Sequence, residues 1–380
     1  MFKSKPLLAI AGFYFAYFAF NGIFSPYWGL YLSHLAFPAW QIGILTSLTQ
    51  INRIYAPSLW GYLADRTGKR QTILRLAGVC GFAFFLPLLL AKSFWPLFIA
   101  VLLGSFFWSA ALPLVEATTM SLLKGDGGAY ARLRRWGSIG FMVATLLVGY
   151  AIEGFGIGTL PWAVIAVMAS LALYAWQVPN APLATTEDVA QLPFRSILQQ
   201  SEVRSLLLAC FFMALAHGAY YSFYSIFVAE QGISQSVIGW LWSIGVLAEI
   251  LVFSWMPHLS QRFTLRGLFL FGLIIAVARF GLIAVGAQSI VLLVVAQIGH
   301  AFTFGSNHAV AMSYIHRYFS GCHQAKGQAL YIAVTFGLGG SLGGILAGLA
   351  WRSLGGTTIF LLSSGMALLG LLIAWRGVKN

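Results

Sequence analysis

The sequence predicts an all-α membrane protein whose twelve transmembrane helices form two pseudo-symmetric six-helix bundles. Composition is the first observation that predicts this fold: 59% of the 380 residues are hydrophobic and only 8% are charged, whereas soluble domains carry about 25% charged residues. The second observation is a series of about twelve apolar runs along the chain. The third is an internal repeat that relates the two halves of the sequence. Together they exclude a soluble globular protein.

The apolar runs are long enough to cross a bilayer, because about 20 apolar residues span the hydrocarbon. They are centred near Ala19, Leu48, Phe82, Leu103, Thr145, Val167, Ala216, Gly245, Leu273, Ala301, Leu338 and Leu368. After the sixth run, the segment 179–202 contains proline, threonine, glutamine and acidic residues and predicts a cytoplasmic linker. The linker divides the chain into an N-terminal bundle at 1–178 and a C-terminal bundle at 203–380.

Basic residues alternate between the two sides of this arrangement. One side carries Lys3, Lys5, Arg66, Lys69, Arg70, Lys124, Arg132, Arg195, Arg204, Arg262, Arg266, Arg317, Lys326, Arg376 and Lys379. The opposite loops hold little more than Lys92 and Arg352. Because cytoplasmic loops are enriched in Lys and Arg, the pattern predicts a multi-pass protein of the bacterial inner membrane with both termini in the cytoplasm. Membrane topology thus accounts for the net charge of +13 without a nucleic-acid partner.

A shift of 196 positions brings the two halves into register. It places Asn21-Gly22 on His217-Gly218, Ile42-Gly43 on Ile238-Gly239, Leu63 on Leu259, Arg66 on Arg262 and Arg70 on Arg266. It also places Arg53 on Glu249, so that opposite charges occupy equivalent depths of the second helix in each half. Two parallel six-helix halves around a midplane site are typical of secondary transporters.

Glu116 and Arg134 are charges at membrane depth. Glu116 lies in an apolar run, and Arg134 lies on the next run, just beyond a short polar turn. A charge at the bilayer centre costs about 2.5–3.5 kcal/mol on insertion scales, so such residues face a watery cavity or a partner of opposite sign. A structural ion pair that ties two helices together is one interpretation. The favoured interpretation is a polar site inside a transporter.

The membrane-embedded charges leave an excess of positive charge. They are Arg53, Glu116, Arg134, Glu249 and Arg279. Three arginines against two glutamates favour a monoanionic guest, and the guanidinium fork suits a carboxylate. Tyr27, Tyr220 and Tyr224 could stack against a planar ring, which indicates an aromatic carboxylate. The alternative is that the arginines pair with glutamate or tie spans together, and that the aromatic residues only pack or face lipid.

Three histidines and one glutamate are candidates for handling a proton. Histidine titrates near neutral pH, so His217, His300 and His308 are candidate proton or substrate groups, although each could serve only as an interhelical hydrogen-bond donor. Glu249 is the preferred proton carrier. Burial favours the protonated form of a carboxyl group and an approaching arginine favours the carboxylate, so alternating access could switch its two environments.

The loop GYLADRTGKR, from Gly61 to Arg70, resembles the signature loop of the major facilitator superfamily. Its glycines permit a tight turn, and Asp65 can meet basic groups or a helix N-terminus. We therefore expect Asp65, Arg66 and Arg70 to form a conformational gate. The equivalent loop of the second half, PHLSQRFTLR, keeps the basic residues but has Gln261 in place of the aspartate, so the gate should be one-sided.

Within that superfamily the chain is similar to the lactose permease group, and to its branch of 3-phenylpropionate:proton symporters. The segments that carry the resemblance are PLVEA (113–117), RRWGSIG (134–140), AHGAYYSF (216–223) and GWLWSIGVLAEI (239–250). The resemblance implies that Glu116 and Arg134 bind substrate, and that Glu249, Arg279 and His300 serve substrate binding or proton coupling. Two positions depart from the group, since Thr303 replaces its proton-carrying glutamate and Gln297 replaces a nearby lysine. Proton coupling must therefore use other groups.

Together these features predict a proton-coupled symporter that carries a small organic anion, an aromatic acid such as 3-phenylpropionate, by alternating access. The predicted substrate-binding residues are Glu116, Arg134, Arg53, Asn21, His217, Tyr27, Tyr220 and Tyr224. The predicted proton-coupling residues are Glu249, Arg279, His300 and His308. Asn21 is included because it pairs by repeat with His217, on helices that line the cavity in the family that the chain resembles.

Other functions are less well supported by the sequence. An enzyme is not expected, because no nucleophile–base set or metal cluster appears, and Cys80, Cys210 and Cys322 lie far apart. No cofactor or metal is expected, and the partners are the substrate, protons and the bilayer, with the protein acting as a monomer. The remaining alternatives are a sugar or nucleoside symporter, a non-transporting membrane receptor, and a lipid-handling protein.

Overall fold

The computed structural model describes residues 5–124, 126–180 and 193–379. Helices dominate these residues, and no strand occurs among them, which confirms the all-α prediction. The helices are α1 (Lys5–His34), α2 (Ala39–Asn52), α3 (Ala56–Thr67), α4 (Arg70–Phe85), α5 (Phe94–Leu122), α6 (Gly127–Phe155), α7 (Leu160–Gln177), α8 (Phe194–Gln199), α9 (Ser201–Ala229), α10 (Gln235–Arg262), α11 (Leu265–Gly286), α12 (Ile290–His300), α13 (Asn307–Tyr318), α14 (Gln324–Ile332) and α15 (Ser341–Gly377).

Ten helical segments of the described chain are long and apolar enough to cross a membrane. The predicted number of crossings is twelve, and it is reached by two additions to these ten segments. The pair α2 and α3 makes one crossing that is broken after Asn52. The segment Gln324–Gly377 has 54 residues and would extend about 80 Å at about 1.5 Å per residue, far beyond a hydrocarbon core of about 30 Å. Gly355, with φ 73° and ψ 161°, breaks it into two crossings.

The internal repeat is visible in the helix boundaries. Helices α1 and α9 begin at Lys5 and Ser201, α2 and α10 begin at Ala39 and Gln235, and α5 and α12 begin at Phe94 and Ile290, each pair 196 positions apart. The repeat predicted from the first two helices therefore extends to the fourth crossing of each half. One difference matters for the site: α2 ends immediately before Arg53, whereas α10 continues without a break through its counterpart Glu249.

The two halves meet in the part of the molecule that lies away from the basic loops, where α2 packs against α15 and α6 packs against α10. The Thr46 hydroxyl donates to the Ser222 hydroxyl oxygen over 2.8 Å. The Ser47 hydroxyl donates to the Ser341 carbonyl over 3.1 Å. At the opposite end, which we call the basic end, each described ion pair stays within one half, as in Asp65–Arg70. The halves are therefore closed together on one side.

Glycines permit this close approach. A Cβ atom on Gly43 would lie 2.6 Å from the Gly344 carbonyl oxygen, and one on Gly348 would lie 2.6 Å from the Ala39 carbonyl oxygen. Helices in membranes use small residues in this way to bring their backbones together. We call this α2–α15 contact the glycine seam.

Two helices that line the space between the halves contain π-helical turns. Ala301–Ser306 separates α12 from α13, and Ala333–Gly340 separates α14 from α15. Such turns are rare and occur frequently at functional sites. Most of the predicted linker, residues 181–192, lies outside the described residues, so the domain boundaries at 178 and 203 stay a prediction.

Candidate functional site

A cavity lies where the two halves face each other. Its wall from the first half includes Gln50. The remaining lining residues come from the second half and are Cys210, Met213, Ala214, His217, Tyr221, Thr303, Phe304, Asn307, His308, Tyr331, Thr335, Phe336 and Gly340. A concave space that is lined by aromatic rings with a few polar groups is typical of a small-molecule site.

The second-half wall is a stack of aromatic and imidazole rings. Phe304 stacks on His300 at 5.5 Å and 15°, and on His308 at 6.2 Å and 12°. These three residues are spaced by four along the chain, so one face of the helix carries them all. Nδ1 of His308 lies 3.0 Å from the Tyr331 hydroxyl. Phe336 completes the wall, with its ring centroid 5.7 Å from that of His308.

Glu116 and Arg134 come together on the first half, as predicted. The turn between α5 and α6 is fixed by Asp126, whose carboxylate accepts hydrogen bonds from the first backbone N–H groups of α6. Nε of Arg134 lies 3.5 Å from Oε1 of Glu116, and the Tyr130 hydroxyl donates to the same oxygen over 3.2 Å. The Arg134 guanidinium also lies 4.0 Å from the centroid of the Phe18 ring. With side-chain exposures of 31% and 34%, the pair is not sealed off.

Arg53 lies beside the cavity, against one of its lining rings. Arg53 occupies the break after α2, with its guanidinium 5.7 Å from the Phe336 ring centroid. Among the described residues Arg53 forms no ion pair, so it does not pair with Glu249. We call Arg53, Glu116 and Arg134 the cationic wall, and Arg53 is the member that lies against the aromatic wall.

A second group of charges lies behind the aromatic wall, inside the second half. Nε2 of His300 lies 3.0 Å from Oε1 of Glu249, and both side chains are largely buried. Nε of Arg279 donates to the Ala296 carbonyl over 2.9 Å, and its guanidinium lies 4.2 Å from the Tyr220 ring centroid. Arg279 thus lies against an aromatic face. We call Glu249, Arg279, His300 and His217 the buried polar cluster.

His217 connects this cluster to the cavity. Its Nδ1 lies 2.8 Å from the Met213 carbonyl, which can only accept a hydrogen bond, so Nδ1 carries the proton. In the neutral ring Nε2 is then an acceptor, placed 3.2 Å from the Thr303 hydroxyl and 3.5 Å from Nη1 of Arg279. His217 therefore presents a neutral imidazole that is held on both nitrogens.

The remaining predicted substrate residues lie elsewhere. The Tyr27 hydroxyl donates to the Thr145 carbonyl over 2.8 Å and lies 3.3 Å from the Gln235 carbonyl, so it joins the two halves instead of facing the cavity. The Asn21 amide lies 3.5 Å from the Tyr17 carbonyl of its own helix. Tyr220 and Tyr224 are fully buried beside the buried polar cluster, where the Tyr220 hydroxyl donates to Gln297 over 2.9 Å.

The predicted gate residues contact each other within their own loop. Nη2 of Arg70 lies 3.0 Å from Oδ1 of Asp65, and Nη1 of Arg66 donates to the Tyr62 hydroxyl over 3.2 Å. The Asp65 side chain is 67% exposed. An exposed ion pair of this kind contributes about 0–1 kcal/mol, so it can be broken and remade at little cost.

Sequence reasoning missed several lining residues. Gln50, Thr335, Tyr331, Phe304 and Phe336 carry no charge and stand in apolar runs, so nothing distinguishes them from packing residues. Phe304 alone could have been predicted from the sequence. It lies four residues from both His300 and His308, which were predicted to be functional, so it must share their helix face.

Comparisons with known proteins agree with this architecture. A family model described as the MFS_1 like family matches residues 7–362. The chain is 28% identical over 352 residues to the probable 3-phenylpropionic acid transporter of Escherichia coli (strain K12), with 90% of each chain covered. It is also 28% identical over 330 residues to the maltose permease of Geobacillus stearothermophilus, covering 86% of this chain and 83% of that protein.

A solved structure shows the same fold. The crystal structure of a mutant of the nucleoside transporter NupG superimposes with a TM-score of 0.86 at 20% identity, covering 98% of this chain and 100% of that one. The helices, the repeat and the family match lead to one conclusion. The chain belongs to the MFS_1-like family and is a multi-pass membrane transporter of the major facilitator superfamily, not an enzyme.

Proposed function

We propose that this transporter is a proton-coupled symporter of the bacterial inner membrane that carries a small aromatic carboxylate, such as 3-phenylpropionate, by alternating access. The single observation that carries the proposal is the position of Arg53, whose guanidinium lies 5.7 Å from the centroid of the Phe336 ring in the aromatic wall of the cavity. An aromatic acid offers each wall its complement, because the carboxylate suits a guanidinium and the ring suits offset or edge contacts with other rings. The similarity to a probable 3-phenylpropionic acid transporter supports the same substrate class.

The charge balance of the cavity favours a monoanion. Arg134 is already paired with Glu116, whereas Arg53 has no ion-pair partner among the described residues. A carboxylate placed between Arg53 and Arg134 supplies the missing negative charge. Arg53 and Arg134 thus bind the carboxylate, and Glu116 orients Arg134.

The proton role falls to the buried polar cluster. Glu249 and His300 are in contact and can hold one proton between them. His300 stacks on Phe304, which borders the cavity, so the pair is one ring away from the guest. Arg279 belongs to the same cluster, because its Nη1 lies 3.5 Å from Nε2 of His217, whose ring centroid lies 5.8 Å from that of His300. A guest that changes the distance between these groups would therefore change proton affinity, which is the coupling that symport requires.

The arrangement of the halves supports alternating access. If the basic loops face the cytoplasm, the protein is closed on the periplasmic side along the glycine seam, and the cavity communicates with the cytoplasm. Opening the seam and closing the basic end would expose the same cavity to the other side. Asp65, Arg66 and Arg70 are then free to exchange their local contacts for contacts with the second half.

Uptake of labelled 3-phenylpropionate into proteoliposomes, with and without an imposed proton gradient, tests the proposal. Empty liposomes and a protonophore provide the controls. We expect accumulation above the external level only when the gradient is directed inward. Equal uptake with and without the gradient would remove the proton coupling, and uptake no faster than in empty liposomes would remove the substrate.

A sugar or nucleoside symporter is the second candidate. The observation that favours it is the identity of 28% to a maltose permease, equal to the identity to the 3-phenylpropionic acid transporter. Competition separates the two candidates. A neutral hydroxyl-rich solute that blocks labelled uptake at concentrations where aromatic acids do not would favour the second.

A further inference from the structure

Asn52, the last residue of α2, is a fully buried amide that ties this helix to α5. Its Nδ2 donates to the Leu102 carbonyl over 2.8 Å and to the Ser105 hydroxyl oxygen over 2.7 Å. Its Oδ1 accepts from the Tyr55 hydroxyl over 2.6 Å. An asparagine amide has two N–H donors, and both are used here. The end of α2 is therefore held at a fixed point on α5.

These bonds hold the chain where the second crossing is broken. The N–H groups of Arg53 and Ile54 each bond the carbonyl three residues earlier, at 3.0 Å, which is the tighter 3₁₀ pattern. Pro57 contributes to the break, because it has no N–H to offer the carbonyl of Arg53, four residues earlier. A missing hydrogen bond permits a bend but leaves its direction open. The contacts of Asn52 fix that direction.

The second half of the chain offers an internal comparison. At the offset of 196, the residues equivalent to Asn52, Tyr55, Pro57 and Ser105 are Ala248, Leu251, Phe253 and Ala301. None of these four has a side chain that can form a hydrogen bond, and each keeps its backbone N–H. Helix α10 accordingly runs without a break from Gln235 to Arg262. The break and the polar groups that hold it therefore occur in the same half.

The break decides what the charged residue at this depth contacts. The Arg53 guanidinium lies 5.7 Å from the Phe336 ring centroid, in the other half. The next residue, Ile54, packs on Gly337, where a Cβ atom would lie 2.6 Å from its Cγ1. Glu249, the equivalent of Arg53 on the unbroken helix, contacts His300 of its own half. The charged side chain thus reaches across to the other half only where the crossing is broken.

We propose that Asn52 is a positioning residue for substrate binding, which holds the broken turn so that Arg53 meets the carboxylate of the guest. This inference rests on the proposed function, which assigns the carboxylate to Arg53 and Arg134. Asn52 does not line the cavity, so it acts through the side chain that follows it. Without its amide the turn can relax, and Arg53 must then be ordered again when the guest binds, which costs affinity.

The test compares the affinities of the purified full-length transporter for 3-phenylpropionate and for its uncharged amide, 3-phenylpropionamide. We expect the wild type to prefer the acid, and Arg53→Gln to reduce that preference by about tenfold, the loss of one charge-assisted hydrogen bond. Asn52→Ala should reduce the preference by a similar factor, while the affinity for the amide changes little. The double variant Asn52→Ala/Arg53→Gln should resemble Arg53→Gln alone, because residues that act through one contact are not additive.

Ser109→Ala is the matched control. Ser109 is also buried on α5, one turn beyond Ser105, but its hydroxyl donates over 2.8 Å to the Phe106 carbonyl of its own helix. This variant should keep the wild-type preference. Ser105→Ala removes only one of the acceptors of Asn52 and should reduce the preference by a smaller factor than Asn52→Ala. It decides the question if Asn52→Ala does not fold.

Three results would overturn this inference and leave the proposed function standing. They are a wild-type preference in both Asn52→Ala and Ser105→Ala, an additive loss in the double variant, and an equal loss of affinity for the acid and the amide. The last of these would mean that Asn52 only supports the fold. Equal binding of acid and amide by the wild type, or binding of neither, would instead overturn the proposed function itself.

Discussion

Nε2 of His300 lies 3.0 Å from Oε1 of Glu249, and this contact makes an imidazole, not an arginine, the direct partner of the carboxyl group. Arg279, the cation that the sequence offers for the role, donates instead to a backbone carbonyl and lies against Tyr220. A carboxyl–imidazole pair can hold one proton on either member. A carboxylate–guanidinium pair cannot, since arginine does not deprotonate in proteins.

Replacing Glu249 by glutamine should uncouple transport from the proton gradient. Glutamine keeps the shape and can still bond His300, but it cannot exchange a proton. We expect Glu249→Gln to bring labelled substrate to equal concentrations inside and outside proteoliposomes, without accumulation above that level. Exchange of internal for external substrate should continue, and the pH dependence of uptake should disappear.

Glu230→Gln provides the control for this variant, because Glu230 lies at the exposed end of α9. It should accumulate substrate as the wild type does. Accumulation by Glu249→Gln that still follows the imposed gradient would remove Glu249 from the proton pathway.

Arg134 and Arg135 are adjacent but differ in environment, and this offers a matched pair for substrate binding. Arg134 contacts Glu116 and is partly buried, whereas Arg135 is exposed. Charge-assisted hydrogen bonds contribute about 1.5–3 kcal/mol, so Arg134→Gln should weaken substrate binding by about tenfold to a hundredfold. Arg134→Lys keeps the charge but loses the two-pronged guanidinium geometry. Its substrate affinity should lie between that of the wild type and that of Arg134→Gln. Isothermal titration measures both.

Arg135→Gln should bind substrate as the wild type does. The double variant Glu116→Gln/Arg134→Gln removes both charges and separates binding from folding, because no unpaired carboxylate remains. It should melt near the wild-type temperature and still fail to bind. Normal binding by either Arg134 variant would contradict the assignment of Arg134 to the carboxylate.

A cross-link between positions 46 and 222 should trap the closed end. The side-chain oxygens of Thr46 and Ser222 are 2.8 Å apart across the two halves, so cysteine sulfurs at these two positions should come close enough for a bond of about 2 Å. In a background without the native cysteines, Thr46→Cys/Ser222→Cys should lose transport on oxidation and regain it on reduction. Gel mobility after protease cleavage in the linker confirms the bond.

Each single cysteine variant should transport under both conditions. Full transport by the oxidised double variant would mean that the halves need not separate at this point, and alternating access through the glycine seam would be wrong.

A larger residue in the glycine seam should open the closed end. A side chain at Gly43 would begin 2.6 Å from the Gly344 carbonyl oxygen, and overpacking of this kind costs about 1–3 kcal/mol. Gly43→Val should therefore shift the population away from the closed form by about tenfold or more. The measurement is the labelling rate of Cys210, as the sole cysteine, by an impermeant maleimide added on the side away from the basic loops. Cys210 lines the cavity and is only 1% exposed in the closed form, so labelling from that side requires opening.

Gly365→Val is the control for this variant, since Gly365 is also helical but has open space where its side chain would be. It should label at the wild-type rate. Equal labelling of Gly43→Val and the wild type would show that the seam does not set the balance between the two forms.

Most of the fold was predictable because its signals are local. Three features can be read from the sequence without knowing any tertiary contact. They are the length of the apolar runs, the alternation of basic loops and the offset of 196 between the halves. The contact between Glu116 and Arg134 was predictable for the same reason, since a short turn brings the ends of α5 and α6 together. Asp126 fixes that turn by accepting from the first N–H groups of α6.

Contacts that depend on helix rotation were not predictable. The repeat placed Arg53 and Glu249 at equivalent depths, but the break in α2 leaves Arg53 beside Phe336, while α10 carries Glu249 to His300. Tyr27 was expected at the substrate but its hydroxyl bonds backbone carbonyls between the halves. Sequence spacing predicts the depth of a residue in the membrane, but it does not predict toward which neighbouring helix its side chain points.

The π-helical turns allow the cavity wall to change shape without unfolding its helices. Ala301–Ser306 ends immediately before the segment that carries His308, and Ala333–Gly340 begins just after Tyr331. If either turn tightened to α-helical geometry by one residue, the chain beyond it would rotate by about 100° and shift by about 1.5 Å. His308 and Tyr331 would then part, although every other helix could stay straight. This local change would let the aromatic wall release a guest while the two bundles move as rigid bodies.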